Sequence, residues 1–221
     1  NGLDDTVTNH VISARDIAIM SRELIRHELI LKYSSIWMDT IRGGAFGLTN
    51  TNKLIRQYEY ATGLKTGSTS LAKYCVSATA EKDGLELIAV VMAAPDYKVR
   101  FADATTLLNY GFGKCRLYTD ENTDALPDLP VTKGTETAVG LAYDSPFSYL
   151  SVKGEDLSDV KKEQILPETV TAPVRKGDVA GRVVYSAGGR ELGSVNIRYT
   201  ADIHAASYRD YFKMALFYLL T

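Results

Sequence analysis

The chain has 221 residues, of which 45% are hydrophobic and 24% are charged, and its net charge is −2 at pH 7. This composition is typical of a globular protein with one large or two small domains, and the absence of a basic stripe excludes a general nucleic-acid-binding protein. Two cysteines, Cys75 and Cys115, are too few for a disulfide framework. Apolar or aromatic residues flank each of them, which predicts small buried side chains.

The first part of the chain predicts a helix, a loop and a short helical turn. Ser13-Ala14-Arg15-Asp16 has the capping-box spacing that opens a helix, and apolar residues follow it at helical intervals. Three glycines between residues 43 and 47 predict a loop. Lys53-Leu54-Ile55, directly after Asn50-Thr51-Asn52, predicts a helical turn.

Two apolar runs, residues 74–80 and 85–92, predict adjacent strands. Lys82-Asp83-Gly84 between them predicts a hairpin turn, because Asp-Gly readily adopts positive φ. The second run is apolar at nearly every position, so we expect it to be covered on both faces. Residues 96–110 predict an amphipathic helix that ends at Gly111, with an apolar face formed by Phe101, Ala104, Leu107 and Leu108.

A change in composition predicts a domain boundary. Residues 119–124 are polar and are followed by Pro127 and Pro130, so residues 119–130 are typical of a linker. From residue 131 to about 200, short strand-like runs alternate with glycine and charged turns, and Gly188-Gly189 suits a two-residue hairpin. This pattern predicts a small all-β domain.

The end of the chain, residues 201–221, predicts an amphipathic helix whose apolar side chains lie between Tyr208 and Leu220. The apolar stretch is far shorter than the roughly 20 residues that span a bilayer. Three interpretations stay open: a docked terminal helix, an interfacial membrane anchor, and the first turns of a spanning helix.

The stretch at residues 63–69, Gly-Leu-Lys-Thr-Gly-Ser-Thr, has the chemistry of a sheet edge that receives an anionic substrate. Lys65 supplies positive charge, and the Thr66 hydroxyl can donate a hydrogen bond to a carboxylate. Gly67 lacks a Cβ, so another backbone can approach closely. By itself, however, Lys-Thr-Gly is also an ordinary composition for a solvated turn.

The neighbouring motifs favour the substrate-binding interpretation. In chain order they are Gly2-Leu3-Asp4-Asp5, residues 12–18, residues 50–55, residues 63–69, residues 87–92 and residues 107–112. Together they resemble the serine D-alanyl-D-alanine carboxypeptidases, the low-molecular-mass penicillin-binding proteins. The resemblance covers nearly the whole chain and implies an α+β fold.

The implied architecture has four parts. Residues 1–118 would form the C-terminal part of a β-lactamase/transpeptidase-like domain, an antiparallel sheet with flanking helices. Residues 119–130 would form the linker, 131–200 the small β-rich domain, and 201–221 the terminal amphipathic anchor helix.

The resemblance also implies a function, without a cofactor or a metal. A hydrolase of this family removes the terminal D-Ala from peptidoglycan stem peptides through a serine acyl-enzyme, and β-lactam antibiotics acylate it. Lys65 and Thr66 would bind the terminal carboxylate of the substrate. The strand that continues through Gly67 and Ser68 would pair with the substrate backbone.

The family's nucleophile lies in a Ser-x-x-Lys motif, and a Ser-x-Asn motif supplies a third catalytic group. Ser70, Ser158 and Ser194 begin such spacings in this chain. We predict that none is catalytic, because they lie at the start of a strand, in a charged loop and in the β domain. We therefore expect the catalytic serine and lysine upstream of Asn1, in an N-terminal segment of the same protein with which this chain must associate.

Two further expectations concern an arginine that could face the substrate and the sheet edge formed by residues 85–92. Some family members place an arginine just after the strand that corresponds to residues 85–92, where this chain has Ala94-Pro95-Asp96. Arg100 is nearby, and a position on the helix surface suits it equally well. Without a neighbouring strand, residues 85–92 would form an exposed edge, so we expect this chain alone to self-associate.

We expect an extracytoplasmic protein that binds the membrane surface through Tyr208–Leu220 and binds no nucleic acid. Two alternatives stay open: a non-catalytic piece that binds the cell wall or a partner, and a relative of the serine β-lactamases. The β domain and the terminal anchor argue against the β-lactamase alternative. His10 and His27 show no pattern for metal binding or acid–base chemistry.

Overall fold

The structure is a computed structural model that describes residues 5–7 and 9–220, with side chains throughout except at 214 and 217–220. The Gly2-Leu3-Asp4 part of the first motif lies outside the described residues. The chain forms two compact units, of which the first runs to Arg116 and includes Val152–Gly154, and the second begins at Leu117. Strands occupy both ends of the segment predicted as a linker, residues 119–130.

The first unit combines helices with strands. Its helices are α1 Ala14–Ile25, α2 Glu28–Ser34, α3 Leu54–Gln57 and α4 Tyr97–Lys114. Its strands are β1 Met38–Ile41, β2 Phe46–Thr49, β3 Ala61–Thr69, β4 Lys73–Lys82 and β5 Leu85–Ala94. Residues 43–45 of the predicted loop are the tip of a hairpin, where Gly43 and Gly44 have φ of 66° and 91°, whereas Gly47 lies in β2.

Local sequence signals account for two of the boundaries. The Ser13 hydroxyl oxygen accepts a hydrogen bond from the Asp16 N–H at 3.1 Å, and Asp16 Oδ2 accepts one from the Ser13 N–H at 3.2 Å. This reciprocal pair confirms the predicted capping box at the start of α1. The turn between β4 and β5 has Asp83 at φ 52° and Gly84 at φ 74°, which confirms the predicted hairpin.

Strands β3, β4 and β5 form an antiparallel sheet in that order. On one face, Val76 and Ala78 of β4 are buried in a core that also contains α4 residues. On the other face, the Ser77 hydroxyl lies 2.7 Å from the Ser21 hydroxyl of α1. Both α1 and α4 contact β5, which confirms that the long apolar run is covered on its two faces.

Helix α4 differs from its prediction in length. Gly111 does not end the helix, which continues to Lys114. An ideal Cβ at Gly111 would lie only 2.6 Å from Leu87 Cδ1, so this glycine lets α4 approach β5 closely. A packing requirement, and not a helix end, explains the residue.

The buried face of α4 also differs from its prediction. Leu107 was expected on the apolar face but is 48% exposed. Arg100 is buried instead, together with Phe101, Ala104 and Leu108. Residues 100, 104 and 108 are spaced by four, so they form one stripe along the helix that faces the sheet.

The second unit is almost entirely β-structure, as predicted. Its strands are β6 Arg116–Asp120, β7 Leu129–Thr132, β8 Ala138–Val139, β9 Leu141–Tyr143, β10 Phe147–Ser151, β11 Lys161–Ile165, β12 Val170–Thr171, β13 Val179–Ala187 and β14 Arg190–Tyr199. They form sheets in the orders β11-β13-β14-β9, β12-β7-β8 and β10-β6. The predicted hairpin at Gly188-Gly189 is confirmed, with φ of 56° and 78° between β13 and β14.

Helix α5, Tyr208–Leu220, follows the strands. Its described apolar side chains are exposed: 96% for Tyr208, 71% for Phe212 and 47% for Leu216. The side chains of residues 219 and 220, which belong to the predicted apolar face, lie outside the description. None of the described helices has the length and apolar character needed to cross a membrane.

Candidate functional site

The Lys-Thr-Gly stretch lies in β3, which is the edge strand of its sheet. Strand β4 pairs with β3 from Ala61 to Thr69, with one register shift between Ala61 and Gly63. Among the described residues, no strand pairs with the opposite edge of β3. An edge strand presents unpaired backbone groups, so this side of β3 can accept an extended peptide.

Side chains from neighbouring elements bind carbonyl groups near the start of β3. The Ser34 hydroxyl at the end of α2 donates to the Thr62 carbonyl at 2.8 Å. The Asn52 side-chain amide donates to the Gly63 carbonyl, also at 2.8 Å. These two contacts hold β3 directly upstream of Lys65.

The predicted substrate-binding residues differ in exposure. Lys65, Gly67 and Ser68 are exposed, whereas Thr66 is only 7% exposed. The Lys65 ammonium donates to the Thr66 carbonyl, so its charge stays close to the strand. The stretch thus combines an exposed cation with a buried hydroxyl on adjacent residues.

Gly67 is not required by the fold. Within the described structure, no heavy atom beyond its chain neighbours lies within 4 Å of an ideal Cβ at Gly67, and its φ lies outside the left-handed region. Gly63 is a clear contrast, because a Cβ there would lie 2.7 Å from the Ser34 hydroxyl oxygen. The space above Gly67 is open, and the absence of a side chain leaves room for the backbone of another molecule to approach the strand.

Arg100 does not lie on the helix surface, which corrects that part of the sequence interpretation. It is only 8% exposed, and its Nη1 lies 3.2 Å from the Gly67 carbonyl oxygen and 3.3 Å from that of Cys75. The guanidinium carbon is 5.6 Å from the centre of the Tyr74 ring and 4.7 Å from that of Phe101. Burial lowers the pKa of Arg100 from its ordinary value.

The loop before α3 contributes a second contact to the stretch. The Thr51 and Thr66 hydroxyl oxygens are 2.8 Å apart. Asn50 and Asn52 flank Thr51, and the side chain of each forms several hydrogen bonds. The Asn50-Thr51-Asn52 loop therefore holds a hydroxyl group directly against Thr66.

The serines with motif-like spacing have ordinary local roles. The Ser70 hydroxyl and backbone N–H both donate to the Asp5 carboxylate, and these contacts lower the pKa of Asp5. Lys73, the lysine of the same spacing, is exposed and has φ of 53° at the start of β4. The exposed Ser158 follows Asp156, whose carboxylate accepts its N–H at 2.9 Å, and Ser194 lies within β14.

The contacts of Arg100 and Thr51 with the Lys-Thr-Gly stretch were not predicted from the sequence. The spacing of Arg100 with Ala104 and Leu108 was an available signal for Arg100, because it places the arginine on the buried stripe. No sequence signal pointed to the Thr51 contact. In the described ranges, no group of three or more His, Cys, Asp and Glu side chains could hold a metal ion.

Comparison with protein families gives two matches that together cover most of the chain. Residues 1–96 match the family described as D-alanyl-D-alanine carboxypeptidase. Residues 118–205 match the family described as the C-terminal domain of penicillin-binding protein 5. The second match begins one residue after Leu117, where the second structural unit starts.

Individual relatives agree with these matches. D-alanyl-D-alanine carboxypeptidase DacF of Bacillus subtilis is 36% identical over 96% of this chain and 55% of its own length. DacA of Haemophilus influenzae is 30% identical over 93% of this chain and 52% of its own length. The chain therefore spans about half the length of the curated relatives that it matches.

Solved structures show the same fold. Penicillin-binding protein 5 from Haemophilus influenzae superposes with a TM-score of 0.63 and 31% identity, over 87% of this chain and 56% of that protein. A peptidoglycan synthesis regulatory factor, PBP3, from Streptococcus pneumoniae superposes with a TM-score of 0.58 and 23% identity, over 87% of this chain and 57% of that protein. At 23% identity, the similarity to PBP3 shows a shared fold and nothing more.

Proposed function

Because residues 1–96 match the D-alanyl-D-alanine carboxypeptidase family, we propose that this chain belongs to that family and that the whole protein removes the terminal D-Ala from peptidoglycan stem peptides. The chain contributes the substrate-binding edge strand, β3. The reaction is acyl transfer to a serine followed by hydrolysis, and β-lactam antibiotics acylate the same serine.

The open space beside Gly67 is the observation that carries this proposal. Neither packing nor backbone conformation in the described structure requires a glycine at this position. A peptide that adds to the edge of β3 brings its backbone close to the strand, and a side chain at residue 67 would obstruct it. Gly67 and the exposed Ser68 therefore belong to the substrate-binding surface.

Lys65 and Thr66 recognise the terminal carboxylate of the substrate. The exposed Lys65 ammonium attracts the anion, and the Thr66 hydroxyl donates a hydrogen bond to it. A carboxypeptidase needs this recognition because it must distinguish a chain end from an internal peptide bond. These roles use the charge and the donor that the two residues present at the strand edge.

The chemistry requires a nucleophile that we assign to a part of the whole protein outside residues 1–221. The serine oxygen adds to the carbonyl of the penultimate D-Ala, and the bond to the terminal D-Ala breaks as its nitrogen takes a proton. Water then hydrolyses the resulting ester and regenerates the serine. Supporting this assignment, the Ser70 hydroxyl already donates to the Asp5 carboxylate.

The test is covalent labelling of the whole protein. After treatment with benzylpenicillin, intact-mass spectrometry should show one penicilloyl adduct, and a peptide ending in D-Ala-D-Ala should lose one D-Ala. The adduct should map to a serine other than Ser70, Ser158 and Ser194. Labelling of one of those three serines would overturn the assignment, and the absence of both activities would overturn the function. Rapid penicillin turnover would indicate a β-lactamase instead.

The exposed apolar side chains of α5 suit a membrane surface on the extracytoplasmic side, where stem peptides occur. Phe212 and Leu216 are 71% and 47% exposed. Changing both to Asp in the whole protein should release it from anionic liposomes, because an interfacial helix binds through its buried apolar area. Val152→Asp, at a 60% exposed position in the first unit, is the matched control. Equal liposome binding by the wild type, the double variant and Val152→Asp would contradict an anchor role for α5.

A further inference from the structure

Thr51 and Thr66 form a hydroxyl pair whose oxygens are 2.8 Å apart. Thr66 is buried in β3 at 7% exposure, whereas Thr51 is exposed on the loop before α3. Fifteen residues separate them in sequence, so the contact depends on the tertiary fold. Neither the family matches nor the names of the relatives assign a role to Thr51.

The flanking asparagines hold the loop without help from Thr51. The Asn50 side-chain amide donates to the carbonyls of Ser34 and Ile36 at 3.0 and 2.9 Å. Asn52 is 1% exposed, and its side chain donates to the Gly63 carbonyl and accepts from the Leu54 N–H. These contacts fix the backbone on both sides of Thr51, so its hydroxyl is not needed to form the loop.

The direction of the hydrogen bond follows from proton counting. A threonine hydroxyl has one hydrogen to donate and two lone pairs that accept. If the Thr66 hydrogen points to the substrate carboxylate, Thr66 can only accept from Thr51. Donation by Thr51 leaves the Thr66 hydrogen free for the substrate and polarises its O–H bond, as in hydrogen-bonded chains generally.

We propose that Thr51 is a positioning residue that orients the Thr66 hydroxyl toward the carboxylate of the substrate. This inference rests on the proposed function, because it assumes that Thr66 binds a carboxylate. It assigns the Asn50-Thr51-Asn52 loop a task in substrate recognition. Thr51 acts through Thr66 and takes no part in the bond-breaking steps.

The test compares substitutions of Thr51 in the whole protein with two β-lactams. Thr51→Val keeps the shape and removes the hydroxyl, and Thr51→Ser keeps the hydroxyl. The probes are benzylpenicillin, which carries a free carboxylate, and its methyl ester, in which the carboxylate is blocked. The rate constant for acylation is measured with each probe, and kcat/KM is measured with a D-Ala-D-Ala peptide.

We expect Thr51→Val to slow acylation by benzylpenicillin by about 3- to 10-fold, the usual effect of one hydrogen bond. Acylation by the methyl ester should stay within about twofold of the wild type, because the orientation of Thr66 matters only for a carboxylate. In Thr51→Val, kcat/KM for the D-Ala-D-Ala peptide should fall by the same factor as the rate of acylation by benzylpenicillin. Thr51→Ser should restore both rates.

Other results would overturn the inference in distinguishable ways. Equal losses with the acid and the ester would mean that Thr51 only supports the loop. Unchanged rates in Thr51→Val, with an active wild type, would overturn the role of Thr51 and leave the proposed function intact. A wild type without penicillin labelling or peptide cleavage would overturn the proposed function, and this inference with it.

Discussion

Arg100 Nη1 lies 3.2 Å from the carbonyl oxygen of Gly67, beneath the strand that carries the Lys-Thr-Gly stretch. The same nitrogen lies 3.3 Å from the carbonyl oxygen of Cys75 on the neighbouring strand. One buried guanidinium therefore joins β3 and β4 at Gly67. Within the described structure its Nε has no hydrogen-bond partner, so the burial of this side chain carries a cost.

Replacing Arg100 should loosen the strand edge. We predict that Arg100→Met lowers the free energy of unfolding of the whole protein by about 1–3 kcal/mol, since two carbonyls lose a charged donor. The reaction with D-Ala-D-Ala peptide should slow as well, because Gly67 is less firmly held. Urea denaturation and steady-state kinetics measure the two effects.

Lys98, an exposed residue on the same helix, provides the control for Arg100. Lys98→Met should change the free energy of unfolding by no more than about 0.5 kcal/mol, as is usual for surface positions. Equal stability of Arg100→Met and the wild type would show that the guanidinium does not support β3.

Two glycines near the end of α4 test the packing of this helix on β5. An ideal Cβ at Gly111 lies 2.6 Å from Leu87 Cδ1, whereas one at Gly113 meets no described atom within 4 Å. Gly113→Ala should stabilise the protein by about 0.5–1 kcal/mol through helix propensity. Gly111→Ala should be less stable than Gly113→Ala by about 1–2 kcal/mol, because Leu87 must shift. Thermal denaturation compares them, and equal stabilities would contradict the close approach.

A polar cluster in the second unit predicts a dependence on pH. Lys162 Nζ lies 2.9 Å from Asp120 Oδ2 and 2.6 Å from Asp124 Oδ2. Burial alone would raise the pKa of Asp120, but hydrogen bonds from Lys162, the Asn122 N–H and Tyr185 outweigh it and lower that pKa. Burial and the nearby Asp120 carboxylate raise the pKa of Tyr185 to about 12.

Because the pKa of Asp120 is lowered on folding, its ionised form stabilises the second unit. This contribution is complete above the unfolded pKa of about 3.9 and is lost as the pH falls through the lower folded pKa. Asp120→Asn should therefore cost about 1–2 kcal/mol at pH 7, and the difference from the wild type should shrink below about pH 3. Urea denaturation at both pH values measures it.

Asp124 serves as the control, because it binds the same lysine but its side chain is 65% exposed, against 22% for Asp120. Asp124→Asn should have a smaller effect, as exposed ion pairs contribute little. A cost for Asp120→Asn that does not change with pH would rule out the ionised carboxylate as its source.

Lys65 is the exposed cation of the candidate site. In the whole protein, Lys65→Ala should lower kcat/KM for a D-Ala-D-Ala peptide by about 10- to 100-fold, because a charge-assisted contact with the carboxylate is lost. Lys73→Ala, at an exposed position on the neighbouring strand, should leave kcat/KM unchanged. Unchanged kinetics in Lys65→Ala would indicate that the triplet is an ordinary solvated segment.

The elements that the sequence predicted correctly are those with local causes. The capping box at Ser13 and Asp16 and the Asp83-Gly84 turn depend on a few adjacent residues, and both are present in the structure. Helix α2 and the β1–β2 hairpin were missed, because neither has an extended periodic pattern.

In the candidate site, too, the local motif was predicted from the sequence, whereas the long-range contacts were not. Lys65, Thr66 and Gly67 were identified as a motif, and their roles in substrate binding stay predictions. The contacts that position them come from residues distant in sequence, Arg100 and Thr51. Gly111 was misread as a helix end, because a glycine needed for close packing has the same sequence signature as one that caps a helix.

Substitution of Gly67 in the whole protein tests whether a substrate peptide pairs with the edge of β3. Gly67→Val is compared with Gly47→Val, since in the described structure a Cβ at either position meets no atom within 4 Å. Both variants should keep the melting temperature of the wild type. Only Gly67→Val should lower kcat/KM for a D-Ala-D-Ala peptide, by about tenfold or more, because a side chain there displaces the paired substrate. Wild-type kcat/KM in Gly67→Val would contradict substrate binding at the edge of β3.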